Sequence, residues 1–219
     1  MSASVTPLAR RCIDLAIAAA PAMAERVIDQ AVAALQEEET RCAVGAERRL
    51  LAEAWLALLQ QRTDWRERFP LALRNAPPEP SATVPASGDR RTQLTLVDDD
   101  ALVQSLEARR LTQLLAPRLE QPLAELDALM SAALGLATVQ PESNPLRPQV
   151  FGQAMRSLME GAADARWPAL WTRQLAAPLA GEIATLYAQA VQLLRSADLR
   201  AASYRVLPVA NPLRPQESP

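Results

Sequence analysis

The sequence lacks histidine and lysine entirely, so all 23 of its positive charges are arginines. Without histidine the chain has no side chain whose unperturbed pKa lies near neutrality and no imidazole ligand for a metal. Without lysine it has neither a Schiff-base amine nor the lysine of a phosphate-binding loop. We therefore expect a protein that is not an enzyme, with no cofactor and no catalytic or metal-binding residues.

Aromatic residues are also scarce, at 4%, although hydrophobic residues make up 49% of the chain. The core must then be built mainly from leucine, alanine and valine. This composition favours helices, because strands draw on β-branched and aromatic residues while alanine and leucine are strong helix formers. The formal net charge of −2 shows none of the basic excess that is typical of nucleic-acid-binding proteins.

The sequence has no apolar run as long as a membrane span, which takes 18 or more residues. The apolar stretch at 13–23 follows two arginines, as in a signal peptide, but Asp14 and Pro21 interrupt it. It therefore predicts a helix of a cytoplasmic protein. The two cysteines, Cys12 and Cys42, lie in helical, apolar surroundings. They could form one disulfide, although two free thiols are the favoured interpretation for a cytosolic chain.

The spacing of apolar residues predicts an all-α fold, a multi-helix bundle in two helical segments joined by a Pro/Ser/Ala-rich linker. The expected division is an N-terminal helical segment at 1–76, a flexible linker at 77–93, a helical domain at 94–208 and a disordered tail at 209–219. The length allows one large domain or two small ones.

Proline and glycine mark the expected helix boundaries. In the first segment, which reads as three or four helices, Pro21 suits the first turn of a second helix, and Gly45 suits a weak point or a boundary. In the second, Pro117 breaks or kinks a helix that ends near Gly135, and Pro148 begins another. Apolar stripes at helical spacing include residues 50, 51, 55, 58 and 59. The longest stripe runs over 167–194.

Three motifs stand out in residues 94–208. They are LTLVDDD at 94–100 followed by RRL at 109–111, NPLRP at 144–148 followed by Phe151, and LY at 186–187 leading to VLP at 206–208. In combination they resemble the bacterial domain of unknown function 1631 family, with the helices before the linker a vaguer match. Members of that family are much longer, which implies that this chain is an N-terminal portion or a short relative.

Six residues are candidate interaction or ligand contacts: Arg109, Arg110, Asn144, Arg147, Trp167 and Trp171. Paired arginines could hold a phosphate, because a guanidinium binds phosphate through two parallel hydrogen bonds and stacks on bases. The pair Arg109–Arg110 also has a neighbouring acid, Glu107, that would balance its charge. The tryptophans could form a ligand platform or a dimerisation seam, although core packing is the favoured interpretation for aromatics at helical spacing.

The motif NPLRP at 144–148 recurs verbatim at 211–215. The second copy could be a short docking element in the tail rather than a second structural repeat, or a chance recurrence in a proline-rich chain. The leading functional hypothesis is a non-enzymatic helical interaction or regulatory module that serves a protein partner or self-association. The alternative is an arginine-based sensor of a phosphorylated small ligand, such as a nucleotide second messenger.

Overall fold

The computed structural model describes residues 6–76, 99–197, 199 and 201–202. This part of the chain is 82% helical and contains no strand, which confirms the predicted all-α bundle. The predicted linker at 77–93 and tail at 209–219 lie outside the described residues. The described helices are α1 Pro7–Arg41, α2 Gly45–Gln60, α3 Arg62–Asn75, α4 Asp99–Ala133, a 3-10 turn Pro141–Ser143, α5 Pro148–Met159 and α6 Trp167–Arg195.

Helix α1 begins at a capping residue, Thr6, whose hydroxyl oxygen accepts a hydrogen bond from the backbone N–H of Ala9. The expectation that Pro21 starts a second helix is wrong, because Pro21 lies inside α1. A proline in a helix removes one backbone hydrogen bond. Burial of Ala20 and Met23 on either side of Pro21 offsets this cost, since both continue the apolar face of α1.

Helices α2 and α3 run back along α1. Near the end of α1, Glu39 accepts a hydrogen bond from Trp55 Nε1 at 2.7 Å, and nearer its middle Asp29 accepts one from Arg62 Nε at 2.8 Å. The order of these two contacts makes the α2–α3 pair antiparallel to α1. Gly45 is the first residue of α2, as the sequence predicted. Residues 6–76, the described part of the first segment, therefore form three helices.

Of the prolines used to predict helix boundaries in the second segment, one lies inside a helix and one begins a helix. Of the two outcomes expected at Pro117, the break is wrong, because α4 continues through both Pro117 and Pro122. The predicted end near Gly135 is confirmed. Gly135 has a φ of 76°, and the backbone N–H of the next residue, Leu136, reaches back to the carbonyl of Ser131 at 2.9 Å. Pro148 opens α5, also as predicted.

The two helical segments share one hydrophobic core. Helix α1 packs on α2, α3 and α6, while α4 packs on α6 and α5, and α5 also contacts α3. Ion pairs from Glu38 to Arg173 and from Glu182 to Arg26 show that α1 and α6 are antiparallel. Among the described helices, none is both long enough and apolar enough to cross a membrane.

Candidate functional site

Asn144 and Arg147, two of the sequence-predicted residues, lie beside a buried carboxylate, Asp127 of α4. Asn144 Nδ2 donates a hydrogen bond to Asp127 Oδ1 at 2.6 Å. Asn144 Oδ1 accepts one at 2.9 Å from the backbone N–H of Leu146, two residues on, which is the turn that asparagine side chains commonly make. Both side-chain functions of Asn144 are therefore used inside the protein.

Tyr187 of α6 holds the same loop from the other side. Its hydroxyl donates a hydrogen bond to the backbone carbonyl of Leu146, and its ring meets Phe151 edge-on, with centroids 6.4 Å apart. Burial raises the pKa of Tyr187 far above its ordinary value, so the hydroxyl stays protonated and remains a donor. We refer to Asp127, Asn144, Leu146, Arg147 and Tyr187 as the Asp127 cluster.

The electrostatics of the cluster are set by burial. Removal from water raises the pKa of Asp127, while the hydrogen bond from Asn144 and the positive charge of Arg147 oppose that rise. Arg147 is half-buried. Its positive charge interacts favourably with the carboxylate of Asp127. Chemically, the cluster fastens the loop before α5 to α4 and α6.

Trp171 lies in the core, as the sequence predicted, with none of its surface exposed. Its ring meets Trp65 edge-on at 5.9 Å and Trp167 at 5.8 Å with a tilt of 34°. Its Nε1 donates to the backbone carbonyl of Ala54 at 3.0 Å. Trp167 is half-buried at the start of α6, and its buried Nε1 has no hydrogen-bond acceptor among the described residues.

Arg109 and Arg110 are both exposed on α4. At 1.5 Å per residue, Arg110 lies roughly 26 Å along that helix from Asp127. The six sequence-predicted residues therefore fall in three separate places, which are the arginine pair, the Asp127 cluster and the tryptophans. The structure does not bring the arginines together with Arg147.

A feature that sequence reasoning missed lies on α2. Leu56 and Leu59 are 44% and 43% exposed, and with a spacing of three residues they share one face of the helix. Leu59 was expected in the apolar stripe of α2, but that stripe is buried through Leu51 and Leu58 instead. The available signal was that the leucines of α2 cover more than one helix face. We refer to Leu56 and Leu59 as the α2 surface.

A surface groove of about 540 Å³ lies between α1 and α6, and the charged side chains that line it are paired. Arg26 binds Glu182 through two hydrogen bonds, of 2.8 and 2.6 Å, and Arg173 pairs with Glu38. The remaining lining is formed by Gln30, Ala34, Gln174, Ala177, Pro178, Gly181 and Thr185.

Comparison with protein-family models assigns the chain to a family. The model of the N-terminal domain of a protein of unknown function, DUF1631, matches residues 4–198. The chain belongs to the DUF1631 family. The match covers both helical segments, so the resemblance noted over 94–208 extends through the helices before the predicted linker. Comparison of this DUF1631 domain with curated proteins and with solved structures gives no match.

Proposed function

We propose that this DUF1631 domain is a non-enzymatic helical module that binds a protein partner through the α2 surface. The observation that carries the proposal is the exposure of Leu56 and Leu59 side by side on one helix. Two neighbouring leucines in water represent an unfavourable solvation free energy that a partner's apolar surface would remove.

The backbone of α2 holds these leucines on a fixed scaffold. Its opposite face is buried through Leu51 and Leu58, and Trp171 of α6 donates a hydrogen bond to the carbonyl of Ala54. A helix fixed in this way loses little conformational entropy on binding, which favours affinity.

Exposed polar residues near the α2 surface are compatible with this proposal. Arg49 and Glu53 are exposed on the same helix and supply polar groups around the leucines. Protein interfaces commonly combine an apolar centre with a polar rim. By contrast, the polar groups of the Asp127 cluster are paired with one another, and so are the charged groups of the groove between α1 and α6. The exposed leucines therefore offer a partner the stronger contact.

The test replaces both leucines with charged residues. Leu56→Glu/Leu59→Glu is compared with wild type and with Leu71→Glu, a matched control because Leu71 is 53% exposed on α3. Each tagged protein is used to capture partners from a bacterial lysate, followed by mass spectrometry, after circular dichroism has shown that its helical content is unchanged.

We expect at least one protein that wild type and Leu71→Glu retain and that the double variant loses. Sedimentation velocity at several concentrations covers self-association, in which case the double variant would lose a dimer that the control keeps. Identical captured proteins and identical sedimentation for all three chains would contradict the proposal.

A further inference from the structure

The sequence identity between the two copies of the docking motif extends one residue beyond NPLRP. Residues 144–149 read NPLRPQ, and residues 211–216 read NPLRPQ again. The second copy lies outside the described residues, whereas the first is described in full. The surroundings of the first copy therefore show how the chain recognises this hexapeptide.

Specific side chains of α4 and α6 bind the first copy. Asn144 is bound by the carboxylate of Asp127, and the carbonyl of Leu146 by the hydroxyl of Tyr187. The side chain of Leu146 is 4% exposed, and Pro148 is buried where α5 begins. The receptor is thus one acceptor on α4 and one donor on α6, on either side of an apolar site that accommodates a leucine.

The C-terminal part of the chain passes close to this receptor. The backbone N–H of Ala202 donates to the carbonyl of Ala128 at 3.0 Å, and Ala128 directly follows Asp127. Eight residues lie between Ala202 and Asn211, and the nine residue steps from one to the other span at most about 30 Å when extended. A tethered segment of this length has an effective concentration on the order of millimolar at a nearby site.

We propose that residues 211–216 bind the receptor formed by Asp127 and Tyr187 of the same chain, in exchange for residues 144–149. Because the two hexapeptides are identical, the second copy can make the same hydrogen bonds to Asp127 and Tyr187 that the first copy makes. The equilibrium between the two states is then set by the flanking residues. This proposal is independent of the partner surface on α2.

The flanking residues make the first copy the ground state. The backbone N–H of Asn144 donates to the carbonyl of Pro141 at 3.1 Å, and that of Val150 donates to the carbonyl of Arg147 at 3.0 Å. Exchange breaks these local hydrogen bonds and frees the start of α5. It therefore creates a minor state in which residues 144–149 are released, and any ligand that prefers this state would increase its population.

The first test uses amide hydrogen exchange on the full chain, with Asn211→Ala as the variant and Glu217→Ala, just outside the repeat, as its matched control. Loss of Asn211 weakens binding of the second copy. We therefore expect hydrogen exchange at the amides of Leu146 and Val150 to slow by about threefold or more. The control and the amide of Leu136, at the end of α4, should be unchanged. Equal exchange at Leu146 and Val150 in variant and wild type would overturn the proposal.

The second test weakens the first copy. In Asn144→Ala the second copy should take over the receptor, so the amide of Leu213 should gain protection, as Leu146 has in wild type. The double variant Asn144→Ala/Asn211→Ala should lose that protection. An unprotected Leu213 in a folded Asn144→Ala chain overturns the proposal, and if this variant does not fold, the exchange rates of Asn211→Ala decide alone.

Protein concentration separates the same chain from a second copy. Exchange within one chain leaves the rates at Leu146 independent of concentration, which is the expected result. Rates that rise with concentration, together with dimers in sedimentation, would assign the hexapeptide to a second copy and overturn binding within the chain.

Discussion

The indole Nε1 of Trp171 donates a hydrogen bond to the backbone carbonyl of Ala54 at 3.0 Å, across 117 residues of sequence. The ring that makes this bond is completely buried and meets Trp65 of α3 edge-on. Through this contact α6 is joined to the helices of the first segment. Trp171 thus links the two segments directly.

Replacing this ring should be costly. Trp171→Ala should lower the free energy of unfolding by about 3 to 5 kcal/mol, because it leaves a cavity beside Trp65 and removes the hydrogen bond to the carbonyl of Ala54. Trp171→Phe keeps most of the ring volume and should cost less. Urea unfolding followed by circular dichroism measures both changes. An unchanged midpoint for Trp171→Ala would show that the ring does not stabilise the core.

The buried carboxylate should make stability depend on pH. Burial raises the pKa of Asp127, so the folded state binds its proton more tightly than the unfolded state does. The stabilising contribution is complete below the ordinary aspartate pKa of about 3.9 and is lost as the pH rises through the raised value.

Asp127→Asn removes this titration and keeps an oxygen that accepts from Asn144. The stability of this variant relative to wild type should therefore increase between about pH 4 and about pH 7. Urea unfolding across that range measures the difference, with Glu67→Gln, at an exposed position of α3, as the control for loss of one charge. A difference that is constant with pH would contradict the raised pKa of Asp127.

The end of α4 should depend on a glycine. Gly135 has a φ of 76°, and an added Cβ would meet no atom within 4 Å, so only the backbone opposes a side chain there. Gly135→Ala should cost about 1 to 2 kcal/mol. Gly45→Ala is the matched control, since Gly45 begins α2 with equal space and should tolerate alanine or gain stability. Equal melting temperatures for the two variants would refute this.

The two thiols should differ in reactivity. Burial raises the pKa of Cys12 to about 11, against the opposing charge of Arg11, so little thiolate is present at neutral pH. Cys42 is half-buried and also free. With a thiol reagent such as DTNB, we expect one fast-reacting thiol in the native chain and two after unfolding. Cys42→Ser should abolish the fast phase, and two fast thiols in the native chain would be the opposite result.

Much of the fold follows from local sequence. Helical spacing of apolar residues predicted the all-α class, the long helix α6 and the burial of Trp171, because side chains three and four residues apart share a helix face. Gly135 and Pro148 marked true helix boundaries, since one supplies a positive φ and the other lacks an N–H group that the first turn does not need. The motifs that resembled the family also pointed to the family whose model matches the chain.

Tertiary packing decided the rest. Pro21 and Pro117 remain inside helices, although local sequence rules for proline would end or break the helix at each. Burial of neighbouring side chains offsets the missing backbone hydrogen bond in α1. The pairing of Asn144 with Asp127 joins residues 17 apart. No spacing rule gives such a contact, because it depends on how the loop folds back on α4.

The sequence by itself determined the helical class and which faces are apolar, because both depend on contacts within one or two turns. It could not determine which apolar faces other helices would cover. Leu58 and Leu59 are adjacent leucines of one helix, yet α1 and α6 leave the first buried and the second exposed. That difference is set by the directions in which the neighbouring helices pack. The exposed residue, Leu59, belongs to the proposed partner surface.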